Sequence, residues 1–348
     1  CYTTPHIHSY NERIQVNGRN AISWDERLEM DVWYVENWTL ELDLRILRRT
    51  LGTVLRGEGI SHQRAATMPE FLGDQPEFLP TRQGFDDYFG IPYSDDMTPR
   101  PGTNWPDLPL MENERVIEAP TDRDLLTKRL NEAAVDWIEK HHCQPFFLYM
   151  ALASPHTPIV PSKEFQGKSQ LGAYGDFVME TDWSVGEVVK AVEQAGIADH
   201  TLIIVTADNG CSPAARGGFT NKAQLKFRMG EKVKEEPDGH YASDIYRGHK
   251  ADIYEGGHRV PFIARWDGKV KAGSTSGDPV CLVDLFATCA DIVGAEVSDT
   301  AAEDSVSIGP VLLGTAKGPL REAVVHHSIN GSFAIRQGKW KLAFCPGS

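Results

Sequence analysis

The sequence predicts an α/β fold, a mostly parallel sheet flanked by helices with a small antiparallel sheet at the C-terminal end. Three observations carry this. From about residue 74 onward, short apolar runs of strand length alternate with longer stretches of helical spacing. Polar residues able to do chemistry follow directly after those runs, where ligands gather in folds of this kind. Near the end, two short segments flank Gln337-Gly338 in the manner of a hairpin.

The chain changes character near Gly73, which divides it into an appendage, residues 1–73, and a main domain, residues 74–348. Within the appendage, Leu44, Leu47, Leu51, Val54 and Leu55 lie on one face of a helix, with Arg45, Arg48, Arg49 and Arg56 interleaved. Such a helix packs on a core or lies on a membrane surface, and the arginines make residues 32–56 the segment for membrane contact. In the main domain, Thr121-Asp-Arg-Asp124 has the form of a capping box ahead of Leu126, Leu130, Ala134, Trp137 and Ile138 at helical spacing. Pro145 breaks that pattern, and the continuous apolar run Phe146 to Leu152 predicts a buried strand. A second helix is expected from about Tyr174 to Ala195, ended by Gly196. Thr201 to Val205 and Val260 to Ala264 predict further strands, and Val280 to Val293 a further helix. This order implies right-handed crossovers and hence parallel pairing.

Composition narrows the function. With 41% hydrophobic and 24% charged residues the chain can bury a core, and a formal net charge of -14 argues against nucleic acid as a partner. It does not argue against small anions, which a metal ion and a few convergent cations can hold locally. The six cysteines form no CxxC pair and no zinc-ligand spacing. No run approaches the roughly 18 apolar residues of a membrane span, and no signal peptide is read at Cys1.

The chemistry-bearing residues fall into three groups. Asp208-Asn209-Gly210 follows an apolar run, and its carboxylate and amide carbonyl are hard oxygen donors suited to calcium or magnesium; Asx-Gly pairs are also common turns. Ser154-Pro-His156-Thr-Pro158 places an imidazole after the run Phe146 to Leu152, where it can bond an oxyanion or protonate a leaving oxygen. Arg247-Gly-His-Lys250 and Tyr254-Glu-Gly-Gly257 offer a compact cation and glycines that allow close backbone approach.

Together with Phe78-Leu-Pro80, Gly84-Phe85 and Phe89-Gly-Ile-Pro-Tyr-Ser94, these motifs make the segment from Phe78 to Ala343 resemble the type I sulfatases of the alkaline phosphatase superfamily. The resemblance implies an alkaline phosphatase-like fold truncated at both ends, a calcium cofactor, hydrolysis of a sulfated small molecule or glycan, and a periplasmic or secreted location. It makes Asp208 and Asn209 metal ligands. His156 and Lys250 would hold sulfate oxygens and assist the leaving group, and Ser94 would contact the sulfate. The family's opening strand with paired aspartates and its Cys-x-Pro-x-Arg nucleophile signature have no match in this sequence. Cys1-Tyr-Thr-Thr-Pro5 and Cys211-Ser-Pro-Ala-Ala-Arg216 both depart from that spacing. The expectation is therefore a sulfatase-like hydrolase that is impaired. Residues 15 to 73 separately resemble the C-terminal end of bacterial sugar-phosphate transferases, through Gln15 to Trp24, Asp31 to Val35 and Thr67 to Phe71. A fragment of such a membrane-associated transferase, or a non-catalytic oxyanion or glycan binder, are the alternative functions.

Overall fold

The computed structural model of the chain describes residues 75–99, 105–212, 242–298 and 301–344. The helix expected between residues 33 and 55, and with it the membrane-contact segment 32–56, lies outside the described residues. The chain divides into two units, Cys1–Phe85 and Asp86–Ser348. In the first, the described residues form two single turns of 3-10 helix, Pro76–Phe78 and Pro80–Arg82, each opened by a proline whose missing N–H would be unpaired there in any case.

In the second unit, β1 (Phe89–Gly90), β2 (Leu110–Glu112) and β3 (Arg115–Glu118) form a small antiparallel sheet. The chain then enters α1 (Leu126–His141) through a 3-10 turn. The cap falls one residue later than the sequence pattern suggests. Asp122 accepts from the Asp124 backbone N–H, while Thr121 is buried and its hydroxyl donates to the Leu108 carbonyl at 2.8 Å. α2 (Gly172–Gln194) ends, as its glycine predicts, with Gly196 at φ +70° and its N–H bonded to the Glu193 carbonyl.

α1 and α2 pack on each other through Ile138, Ala191 and Val192. Between them the buried Asn131 amide donates to both the carbonyl and the hydroxyl of Ser184, at 2.9 and 3.0 Å, so its polar group is satisfied inside the core. Leu148 and Ile203 pack against the same cluster. The segments leading to His156 and to Asp208 thus rest on one pair of helices.

Ile203 begins β4 (Ile203–Thr206), which pairs antiparallel with β5 (Phe262–Arg265), Ile203 opposite Arg265 and Thr206 opposite Phe262. Among the described residues between them is a helical turn, α3 (Glu255–His258). α4 (Asp284–Val293) and α5 (Gly309–Leu312) follow. The chain ends in a three-stranded antiparallel sheet of β6 (Val324–His327), β7 (Phe333–Gln337) and β8 (Trp340–Phe344), with the β7–β8 hairpin turning at Gly338, φ +52°.

Two expectations are not met among the described residues. All three sheets among the described residues are antiparallel, so the predicted parallel core is not seen among them. β5 runs beside β4 in the opposite direction, so these two strands are not paired in parallel. Secondly, Phe146 to Leu152 is extended but joins no ladder. With no strand beside it among the described residues, only alternate side chains find a core: Leu148 packs on α1 and α2, while Phe147 and Tyr149 stay 63% and 68% exposed.

Candidate oxyanion site

The turn after β4 is fixed by its backbone. Asn209 donates from its amide to the Asp208 carboxylate at 2.8 Å, and the Gly210 N–H donates to the Gly257 carbonyl at 2.9 Å. A Cβ on Gly210 would stand 1.8 Å from the Gly256 carbonyl oxygen, so only glycine fits. The facing segment has the same requirement. The Gly256 N–H donates to the Arg247 carbonyl at 2.8 Å, and a Cβ there would lie 2.0 Å from the Gly248 carbonyl oxygen. The Arg247 guanidinium lies over the Tyr254 ring, 3.8 Å from its centroid.

This interlock carries Lys250 to the turn. Its backbone N–H donates to the Cys211 carbonyl at 2.9 Å, immediately after Asp208-Asn209-Gly210. Its ammonium lies 3.0 Å from Nε2 of His156. The imidazole Nδ1 is 2.7 Å from the Thr157 carbonyl, which can only accept, so Nδ1 carries the proton and Nε2 accepts from Lys250. The loop holding His156 is anchored on α2: Thr181 donates to the buried Ser154 hydroxyl at 2.9 Å, and Glu180, 1% exposed, accepts from the Ser162 N–H.

Ser94 is exposed and donates to its neighbour Asp96 at 2.7 Å. The residue between them was not singled out from sequence. Asp95 is buried, with Arg123 donating from Nε to its carboxylate at 2.5 Å and from Nη2 to its carbonyl at 2.9 Å. Burial pushes the Asp95 carboxyl above the ordinary aspartate range, against the opposing pull of Arg123.

Of the five predicted site residues, His156 and Lys250 meet through side chains. Lys250 also bonds by its backbone N–H to Cys211, which follows the turn in which Asn209 bonds Asp208. Ser94 bonds to Asp96 instead. As metal donors, the Asp208 carboxylate and the Asn209 carbonyl have the oxygen chemistry calcium takes. They supply two residues toward its usual ~6–8 oxygens, and among the described residues no group of three His, Cys, Asp or Glu side chains gathers around them. The donor type fits, and the donor number is partial.

Cys211 donates from Sγ to the Ser212 carbonyl at 3.5 Å and meets the Tyr174 hydroxyl at 3.5 Å. Sequence reasoning also missed the partners of Glu255, which accepts from Arg336 at 2.8 Å and Lys341 at 3.1 Å. Pairs so distant in the chain leave no local pattern.

The profile of the family described as Sulfatase matches residues 35–295, and that of Bacterial sugar transferase matches residues 11–57. The N-acetylgalactosamine-6-O-sulfatase of Bacteroides thetaiotaomicron is 35% identical over 218 residues, covering 63% of this chain and 39% of its own. Human steryl-sulfatase is 34% identical over 219 residues, 63% of this chain and 35% of its own. A solved structure from the locus by which Bacteroides thetaiotaomicron metabolises multiple glycosaminoglycans superposes with a TM-score of 0.64 at 27% identity, over 78% of this chain and 64% of that one. The chain thus spans well under half the length of these two curated relatives.

Proposed function

The chain belongs to the sulfatase family, and from that premise we propose that it binds the sulfate group of a sulfated sugar at His156 and Lys250. One observation carries this reading: the Lys250 ammonium and the His156 imidazole meet at 3.0 Å beside the Asp208-Asn209 turn. The choice of a sugar is supported by the N-acetylgalactosamine-6-O-sulfatase among the relatives.

In this reading Lys250 donates to non-bridging sulfate oxygens and balances their charge. His156 is held in one orientation by Thr157, and its Nε2 accepts from the Lys250 ammonium and so orients it. When a nucleophile bonds to sulfur and the S–O ester bond breaks, the departing oxygen keeps the bonding pair and takes a proton directly from the Lys250 ammonium, which is left as the neutral amine. Ser94 contacts the sulfate from the adjacent loop. Asp208 and Asn209 are the residues that would hold calcium, which supplies positive charge to a sulfate oxygen when bound; the proton and anion steps above rest on this chain's side chains alone.

The attacking group is the remaining requirement. The 348 residues carry no Cys-x-Pro-x-Arg, and Cys211 has its thiol turned to Ser212 and Tyr174. We assign it no nucleophilic role. A polypeptide of these residues binds the anion and turns it over very poorly or not at all. The test is hydrolysis of an aryl sulfate and of N-acetylgalactosamine 6-sulfate, with and without calcium, beside a Cys211→Ala variant. Binding without turnover in both proteins supports the reading. Robust turnover lost on that substitution would make Cys211 the nucleophile and overturn it.

The match of residues 11–57 to bacterial sugar transferases supports a second proposal for the appendage, contact of residues 32–56 with an anionic membrane through their arginines. Sedimentation with anionic vesicles tests it, and a chain left wholly in the supernatant would refute it.

A further inference from the structure

Glu255 is the one carboxylate of the Tyr254-Glu-Gly-Gly257 motif, and the oxyanion site makes no use of it. Its two oxygens divide between two cations of the terminal sheet, Arg336 of β7 at 2.8 Å and Lys341 of β8 at 3.1 Å. All three side chains are 29% exposed or less. Burial alone would raise the Glu255 carboxyl, but the bond and charge of Lys341 with the charges of Arg336 and Arg259 outweigh it, and the net shift is downward. The carboxylate is thus ionised and clamped from two strands.

What it clamps is the segment that presents Lys250. Glu255 opens α3, and its carbonyl accepts from the Arg259 N–H at 2.7 Å. The next residue donates to Arg247, and the one after accepts from Gly210, so α3 joins the Lys250 loop to the metal-ligand turn. Ala251, directly after Lys250, has φ +81°, a left-handed conformation that alanine adopts only under constraint. Its carbonyl accepts from the Ile329 N–H at 3.1 Å, in the loop between β6 and β7. The terminal sheet and its β6–β7 loop therefore hold the segment that follows Lys250 at two points, through Ala251 and through Glu255.

We propose that Glu255 is a positioning residue for Lys250: pinned between Arg336 and Lys341, it holds the loop in the strained form that aims the Lys250 ammonium at His156. The inference deepens the reading of Lys250 as a sulfate-binding cation and rests on it. It also gives the terminal sheet a role in the site that no residue of that sheet performs by contact.

The test compares Glu255→Gln, which keeps shape and removes charge, with Glu255→Asp, which keeps charge on a shorter arm. Two quantities are read: the 15N resonance of His156 Nε2 in the free protein, assigned with a His156→Gln variant, and the dissociation constant for inorganic sulfate. The expected result is a displaced Nε2 resonance in Glu255→Gln and sulfate binding weakened roughly tenfold or more, the usual penalty for removing the outer partner of a ligand. Glu255→Asp should recover part of both. A folded Glu255→Gln protein with the wild-type resonance and affinity would overturn the proposal. Should that variant fail to fold, the double variant Arg336→Gln with Lys341→Gln decides by the same two readings. A wild-type chain that binds no sulfate refutes the functional reading, and the His156 resonance then still decides whether Glu255 positions Lys250.

Discussion

At the scale of single residues, close backbone approach fixes the site more firmly than side-chain contact does. Gly210 sits where a methyl group would stand 1.8 Å from the Gly256 carbonyl oxygen, and neither strand of backbone can yield without breaking the bond from Gly210 to Gly257. Gly210→Ala is expected to lower stability by about 1–3 kcal/mol, the cost of overpacking a filled space. It should also weaken sulfate binding, and urea unfolding together with a sulfate titration checks both. Asp208-Asn-Gly210 was legible as a turn because its residue types and its place after an apolar run are local signals. Asp284 was not. It is fully buried at the start of α4, accepts from the Cys281 and Val306 N–H groups, and pairs with Arg321, which is 12% exposed. Partners 3, 22 and 37 residues away are set by the fold alone. Asp284→Ala leaves the Arg321 charge buried without its carboxylate and is expected to cost about 3–5 kcal/mol in urea unfolding.

At the scale of elements, the helices were well marked because their spacing, caps and stops are written within a few residues. α2 ends where Gly196 permits the left-handed turn, and the β7–β8 hairpin turns at Gln337-Gly338 as read. Strands were less legible because an apolar run specifies burial, and only a neighbouring strand makes a ladder; Phe146 to Leu152 has the run and lacks the neighbour among the described residues. The joint between α3 and the terminal sheet carries a consequence for pH. His258 and His326 meet at 4.3 Å between ring centroids. Burial pushes both imidazoles below their ordinary range, with the Lys341 charge second, and His326 falls to about 4. Lys341, Glu255 and His327 are the other charged or titratable groups that act on them. A histidine with a depressed folded pKa binds fewer protons folded than unfolded, so its stabilising neutrality holds above 6.5 and is lost as pH falls toward 4. Glu255, also depressed, adds a loss further into acid as its carboxylate is protonated away from Arg336 and Lys341. The melting temperature should therefore fall between pH 6.5 and pH 4, and His326→Gln should flatten that slope. A melting temperature constant across the window in the wild type would contradict the assignment.

At the scale of the whole molecule, the family was legible because several separate motifs occur in order. The sheet arrangement was not, since strand order and direction depend on long connections whose course no local pattern records. The division proposed at Gly73 is a matter for proteolysis. A single early cut between residues 57 and 86, leaving a C-terminal piece that binds sulfate as the full chain does, is the expected outcome; loss of binding with that cut would tie the appendage to the site.

The central claim is that Lys250 and His156 form one oxyanion site beside the Asp208-Asn209 turn. Calorimetric titration of the full chain with inorganic sulfate, wild type against Lys250→Ala, tests it most directly. The account predicts measurable binding in the wild type that weakens tenfold or more in the variant, about 1.4 kcal/mol, while the helical circular dichroism stays the same. Equal affinity in the two folded proteins, or no sulfate binding in the wild type, would contradict it.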